Sequence, residues 1–262
     1  MEARQFTTAH SRAELRDDVS DAPHALVRHL FPTRFLRMPG LETALAYAAP
    51  GMGNQVGGDI IDAYRLSNGT TSFSIADISG KGMHAAVNAA LVKFALRAYA
   101  SEGYTPERVL QSLNRFYIEN NTYERTDSHL TAFFGLVDSA RSRLTYASAG
   151  HEPIVVCHHG QAPLVLRPTA PMIGVDDGSR LPFAQASIPL QIGTVLVVTT
   201  DGVTEARAPD GECFGMERLR DCVRRNVDRS VESQVAALLR ETEAFCQGPF
   251  RDDIAILVAR FL

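Results

Sequence analysis

Strand-like runs in this sequence come in blocks and helix-like runs come in pairs, and that order constrains the architecture more than any other feature. Residues 43–49 alternate, 60–66 follow Gly57-Gly58-Asp59, and 71–76 run into Asp77. Asn68-Gly69 between the last two marks a hairpin, because both residues tolerate positive φ. That hairpin makes two acidic strand ends neighbours. A long helix follows, with Met83, Ala86, Val87, Ala90, Leu91, Phe94 and Ala98 at the spacing of one buried face. Thr105-Pro106-Glu107 opens a second helix, which buries Val109, Leu110, Leu113 and Phe116: Thr caps, Pro fits the first turn, and Glu suits the dipole. Strands return at 129–137, 143–147, 153–157 and 195–200, the last ending in Asp201-Gly202. Two helices, 216–226 and 231–246, and a final strand at 254–260 close the chain.

Clustered strands argue against a doubly wound parallel sheet, in which strands and helices alternate singly. Two mainly antiparallel sheets packed face to face, with helix pairs on their outer faces, satisfy both patterns. The class is α+β. Residues 1–22 are polar, charged and without period, and read as a flexible N-terminal extension; residues 23–262 read as one domain, with no later linker or repeat.

A formal net charge of −4 argues against a nucleic-acid-coating surface, which is normally basic. No apolar run has membrane-spanning length, and the N-terminus lacks the basic-then-apolar layout of a secretory signal. Cys157, Cys213, Cys222 and Cys246 lie far apart and read as reduced thiols. A cytoplasmic enzyme without membrane or nucleic-acid partners is the expectation. Lys81 and Lys93 are the only lysines among many arginines, a bias that reads as codon usage in a GC-rich genome.

Four aspartates flank the strands in glycine-rich or acidic company: Asp59, Asp77, Asp201 and Asp252. No Cys or His is spaced beside them for zinc. Hard oxygen donors without soft ones suit Mg²⁺ or Mn²⁺. Converging carboxylates would repel severely unless cations neutralise them. Singly, an Asp before Gly is more often a turn residue than a ligand; it is the joint placement that points to a metal centre.

The strings VGGDIID, ADISGKGMHAA, LTAFFGLVD, LTYASAGHEPIVV, TTDGVTEARAPDGECFGMERL and RDDIAILV, in this order, closely resemble the PPM-type (protein phosphatase 2C-like) metal-dependent serine/threonine phosphatases, in particular the SpoIIE/RsbU branch. The resemblance runs from about Leu30 to Leu262. It implies an αββα four-layer sandwich with a two-ion Mn²⁺ or Mg²⁺ centre at one end. Carried over by position, Asp77 would bridge both metals, Asp59 and the backbone carbonyl of Ile78 would complete one ligand set, and Asp201 and Asp252 would hold the other ion. Asp253 resembles a supporting neighbour, and the choice between Asp252 and Asp253 stays open. Such a centre would activate water for in-line attack on a phosphoprotein, without a phosphoenzyme. The resemblance also implies a phosphorylated anti-sigma-factor antagonist of STAS type as substrate, a separate regulatory protein, and a homodimer formed through helices preceding the core. Leu26, Val27 and Leu30, at helical spacing, would suit the stub of such a helix. Two positions depart from the family pattern: Ile60-Ile61 replace aromatic residues, and Ala255 replaces a hydroxylated one.

Other residues read two ways. Lys81 and His84 either help an incoming phosphate or belong to a helix entry shaped by Gly80 and Gly82, and the second reading is preferred. His151 is either an acid for the leaving group or, by preference, a neutral turn histidine bonded to the backbone. Glu205 and Arg207 either line a substrate mouth or are solvated loop charges. His158-His159-Gly160 reads as a hairpin turn. The alternative to an enzyme is a catalytically silent scaffold of the same fold, against which the presence of all four aspartates weighs.

Overall fold

The computed structural model describes residues 38, 40–48, 58–80, 83–124, 128–176, 178 and 182–262. One five-stranded sheet runs β1 (Leu41–Ala48), β10 (Ile254–Phe261), β9 (Val195–Thr199), β6 (Ile154–Cys157), β7 (Leu164–Leu166). The other runs β2 (Ile60–Arg65), β3 (Thr71–Ile78), β4 (Leu130–Asp138), β5 (Arg143–Ala149), β8 (Ala186–Pro189). Every pairing is antiparallel. The second sheet carries α1 (Met83–Ser101) and α2 (Pro106–Glu124) on its outer face; the first carries α4 (Gly215–Asn226) and α5 (Val231–Cys246). A single turn, α3 (Asp201–Thr204), follows β9. The α+β, αββα reading holds.

Alternation along the strands explains the layers. In β10, Ala255 and Leu257 face the other sheet, whereas Ile254, Ile256 and Val258 face α4 and α5. In β3, Phe73 and Ile75 enter the space between sheets, and Ala76 and Ile78 pack under α1 and α2. Both faces of these two strands are covered, so β10 is apolar apart from Arg260, and the polar residues of β3 (Thr71, Ser72, Ser74 and Asp77) are at least partly buried.

The Asn68-Gly69 hairpin forms, with Gly69 at φ 87 and Asn68 Oδ1 accepting from the Thr70 N–H at 3.0 Å. It pairs Ile60 with Ala76 and thereby sets Asp59 beside Asp77. Two strands, β7 and β8, escape sequence reading. They are short and lie at sheet edges, where a half-exposed run gives little alternation to read.

The buried face expected of the first long helix is only partly the one found: Ala86 is fully buried, but other members of that face turn outward. Val87 and Phe94 are 52% and 57% exposed, and Ala98 is also exposed. The inward stripe is Ala85, Ala89, Val92, Leu96 and Ala100. α1 is apolar on two faces, so periodicity alone cannot choose between them. Small alanines bring the backbone close to the sheet, and this face also brings Lys93 and Arg97 to Asp62. Asp62 is 1% exposed; it accepts from Arg97 Nε at 2.5 Å and Nη2 at 2.7 Å, and Lys93 Nζ lies 3.6 Å away. Arg97 also stacks over Tyr64, 4.6 Å from the ring centroid.

The N-terminal extension, the 23–37 portion of the domain with Leu26, Val27 and Leu30, and residues Lys81 and Gly82 lie outside the described residues, as does the His84 side chain. Among the described residues no helix is long and apolar enough to cross a membrane, and all four cysteines are free thiols.

Candidate metal centre

Adjacent ends of both sheets bring the predicted aspartates together. Asp59 enters β2, and Asp77 lies inside β3, opposite Thr131 of β4. Asp201 leaves β9 as the first residue of α3, and Asp252 precedes β10. Their mutual repulsion is the clearest sign of proximity. Asp77 is pushed up to about 6, first by burial and then by Asp201, with Asp252 and Asp253 adding to it. Asp59 is raised well above the carboxylate range by burial and by Asp77, with smaller contributions from Asp253 and Asp201. Asp201 is raised by burial, Asp252 and Glu205. Asp252 therefore bears chiefly on the Asp201 side and Asp253 on the Asp59 side.

Asp59 is the most telling member. It is 3% exposed, and among the described residues its Oδ2 has no hydrogen-bond partner. The Thr200 hydroxyl supports the same carboxyl, and Thr200 Oγ1 accepts from the Ala255 N–H at 3.0 Å. A buried carboxylate oxygen left without a donor is costly unless a cation meets it. Among the described residues no three His, Cys, Asp or Glu side chains already close into a metal-ligating set. An oxygen-only donor set of this kind fits a hard divalent ion.

Two glycines allow the approach. A methyl group at Gly58 would collide with the Ile78 carbonyl oxygen, and one at Gly202 would collide with the carbonyl of Asp253. Neither has a left-handed backbone, so space is what they supply. Gly202→Ala is expected to cost about 2–3 kcal/mol through overpacking of backbone against backbone. Urea unfolding of the variant checks this, and an unchanged midpoint would remove the argument.

His151 has a structural place. It is 1% exposed, its Nδ1 shares a hydrogen bond with Thr131 Oγ1 at 2.8 Å, and Nε2 makes no bond of good geometry although the Thr199 backbone lies near. It thus ties the segment between β5 and β6 to β4, next to Asp77, and lies against the Thr199 backbone of β9 in the other sheet. Burial lowers its pKa from 6.5 to about 4, so it is neutral at pH 7. The unfolded chain takes up this proton first as pH falls. Stability from this group is therefore whole above about pH 7 and is lost between about pH 6.5 and 4, roughly 2 kcal/mol of it by pH 5. Urea titrations at pH 7.5 and 5 should show this loss in the wild type and a smaller one in His151→Asn.

Glu152, which sequence reasoning passed over, belongs to the same end. Thr204 Oγ1 donates to its Oε2 at 3.2 Å, and burial together with Asp201 and Glu205 raises its pKa. Its one sequence signal was its place directly after Gly150-His151 at a strand exit. Glu205 and Arg207 line a cavity beside Asp201 and Asp252. His158 leads from β6 into a turn at His159-Gly160, as expected, and His159 Nδ1 lies 2.8 Å from the Asp228 carboxylate.

A family model described as Stage II sporulation protein E (SpoIIE) matches residues 67–262. Protein IcfG of Synechocystis is 28% identical over 201 residues, covering 68% of this chain and 31% of that protein. Phosphoserine phosphatase RsbU of Bacillus subtilis is 27% identical over 192 residues, covering 72% of this chain and 55% of that protein. This chain therefore spans between about a third and about half the length of these relatives. The SiaA-PP2C domain of Pseudomonas aeruginosa superposes with a TM-score of 0.76 at 20% identity, covering 97% of this chain and all of that one, which establishes the shared fold.

Proposed function

Because the chain belongs to the SpoIIE family, we propose that it is a metal-dependent protein phosphatase that hydrolyses phosphoserine or phosphothreonine with water activated at the aspartate cluster. The observation that carries this reading is the buried Asp59 carboxyl, whose Oδ2 has no hydrogen-bond partner among the described residues, beside an Asp77 pushed up to about 6 by burial and by neighbouring carboxylates. Asp77 would be the central ligand, since it feels the carboxylates of both sheets. Asp59 and the Ile78 carbonyl would help hold one ion and Asp201 and Asp252 the other, with Asp253 behind the Asp59 side. When bound, two Mn²⁺ or Mg²⁺ ions would supply Lewis acidity and acidify water near neutral pH.

The chain's own residues hold those charges rigidly. Thr200 orients Asp59, Gly58 lets the Ile78 carbonyl come close, and Gly202 does the same for the Asp253 backbone. Neutral His151 fixes the strands behind them without adding charge. Water oxygen bonds to phosphorus as the bond to the serine or threonine oxygen breaks, releasing the hydroxyl side chain and inorganic phosphate. The proposed substrate is a small phosphorylated anti-sigma-factor antagonist of STAS type, with a separate protein as regulator and a homodimer as the assembly. The resemblance in sequence motifs and the phosphoserine phosphatase RsbU among the relatives support this choice.

The test is hydrolysis of p-nitrophenyl phosphate and of a phosphoserine protein in Mn²⁺, Mg²⁺ or EDTA. Turnover is expected with either cation and none with EDTA. Absence of turnover under all conditions, together with no detectable cation binding, would leave a silent scaffold.

A further inference from the structure

The Asp201–Asp252 side of the cluster opens into a cavity of about 120 Å³ between α3 and the turn joining α5 to β10. That volume is well below the roughly 300–1,000 Å³ of a small-molecule site and suits one amino-acid side chain. Its walls are tied by backbone hydrogen bonds on one side and a helix end on the other. Arg207 sits in a tight hairpin, bridged to Cys213, with the Phe214 N–H donating to the Ala206 carbonyl at 2.8 Å and Ala208 N–H to Glu212 O at 2.9 Å. Arg207 Nη1 donates to the Gly211 carbonyl at 3.2 Å, which leaves the rest of its fork of donors for another acceptor. Opposite, α5 stops at Gln247 in a left-handed conformation, and Pro249 stiffens the turn that carries Phe250 and Arg251.

Charge decides what enters. Among the described residues neither Arg207 nor Arg251 is in an ion pair with a carboxylate. Asp201 and Asp252 are committed to cations in the proposed mechanism, which leaves two guanidinium groups against the exposed Glu205. Phe250 and Pro249 offer an apolar surface for the stem of a side chain. An occupant would lie beside the reacting phosphoryl group. At about 3.3–3.6 Å per extended residue, it would come from within a few positions of the phosphorylated one.

We propose that this cavity receives a carboxylate side chain flanking the phosphorylated residue, held between Arg207 and Arg251, so that the protein selects acidic phosphorylation sites. This inference rests on the phosphatase reading and adds a substrate class to it. Bidentate contact with a planar guanidinium is the geometry that favours carboxylate over other acceptors.

The test is fluorescence anisotropy in Mg²⁺ with labelled peptides carrying a non-hydrolysable phosphonate analogue of phosphoserine and Glu, Gln or Lys at each flanking position. At low salt the wild type should bind the best Glu peptide roughly five- to tenfold more tightly than its Lys counterpart, a ratio that salt reduces. Arg251→Glu should invert that ratio, and Arg207→Gln should flatten it. Equal affinity for Glu and Lys peptides in the wild type would overturn the proposal. So would Arg variants that weaken every peptide alike, which is the behaviour of a phosphate-binding pair. Wild-type hydrolysis of p-nitrophenyl phosphate is read separately. Turnover without an acidic preference sinks only the pocket, whereas acidic preference without turnover keeps the pocket and sinks the hydrolase.

Discussion

Replacing Asp77 by asparagine is expected to abolish most hydrolysis while making the metal-free protein more stable. Two opposite effects from one substitution follow from where Asp77 sits. Its carboxyl is half-buried and feels Asp201, Asp252 and Asp253 as well as Asp59, and it is pushed up to about 6. Neutral asparagine has nearly the same shape, relieves that repulsion and keeps a carbonyl oxygen. The metal-free variant should therefore melt higher than metal-free wild type, a stability–function trade-off typical of charged sites. Hydrolysis loses a bridging ligand. A centre that contributes several kcal/mol to the transition state, lost or mispositioned, lowers kcat about a thousandfold. Differential scanning fluorimetry in EDTA and steady-state kinetics in Mn²⁺ read the two effects independently. A drop in both quantities would mean that Asp77 is a structural residue and would count against the centre.

Asp62→Ala should produce the largest loss of stability, about 3–5 kcal/mol, the cost of breaking a buried ion pair on one side. Asp62 is 1% exposed and joins β2 to α1 through two bonds to Arg97 and the nearby Lys93, which is itself 4% exposed. Burial holds the Lys93 ammonium below its ordinary pKa despite the pull of Asp62. Taking away the carboxylate leaves the buried Lys93 ammonium in an apolar layer beside the half-exposed Arg97. Lys93→Met should be far milder, within about 1.5 kcal/mol, because Asp62 keeps both Arg97 bonds and methionine fills the space. Urea unfolding of both variants decides. Similar losses in the two would show that packing, not charge pairing, holds α1 against the sheet.

These residues also show what the sequence could and could not disclose. The hairpin at Asn68-Gly69 and the acidic strand ends are local signals, so the Asp59–Asp77 pairing was legible before any coordinates. The sandwich followed from the grouping of strands and helices. The orientation of α1 was not legible. Alanines on one face and larger apolar residues on another gave two competing stripes, and the choice depends on Asp62, 31 residues before Lys93 and 35 before Arg97. For the same reason the cavity at Arg207 could be suspected but not drawn, since its other wall comes from the distant turn at Arg251. Glu152 joins the site through Thr204 and through the nearby Asp201 and Glu205, which follow another strand exit.

The most direct measurement is a calorimetric titration of Mn²⁺ into the metal-free protein, with Asp77→Asn titrated alongside. An aspartate-built two-ion centre predicts binding of two ions per chain in the wild type, weakened at both sites by the substitution at the bridging position. Absence of binding to the wild type, or binding that Asp77→Asn leaves untouched, would contradict it.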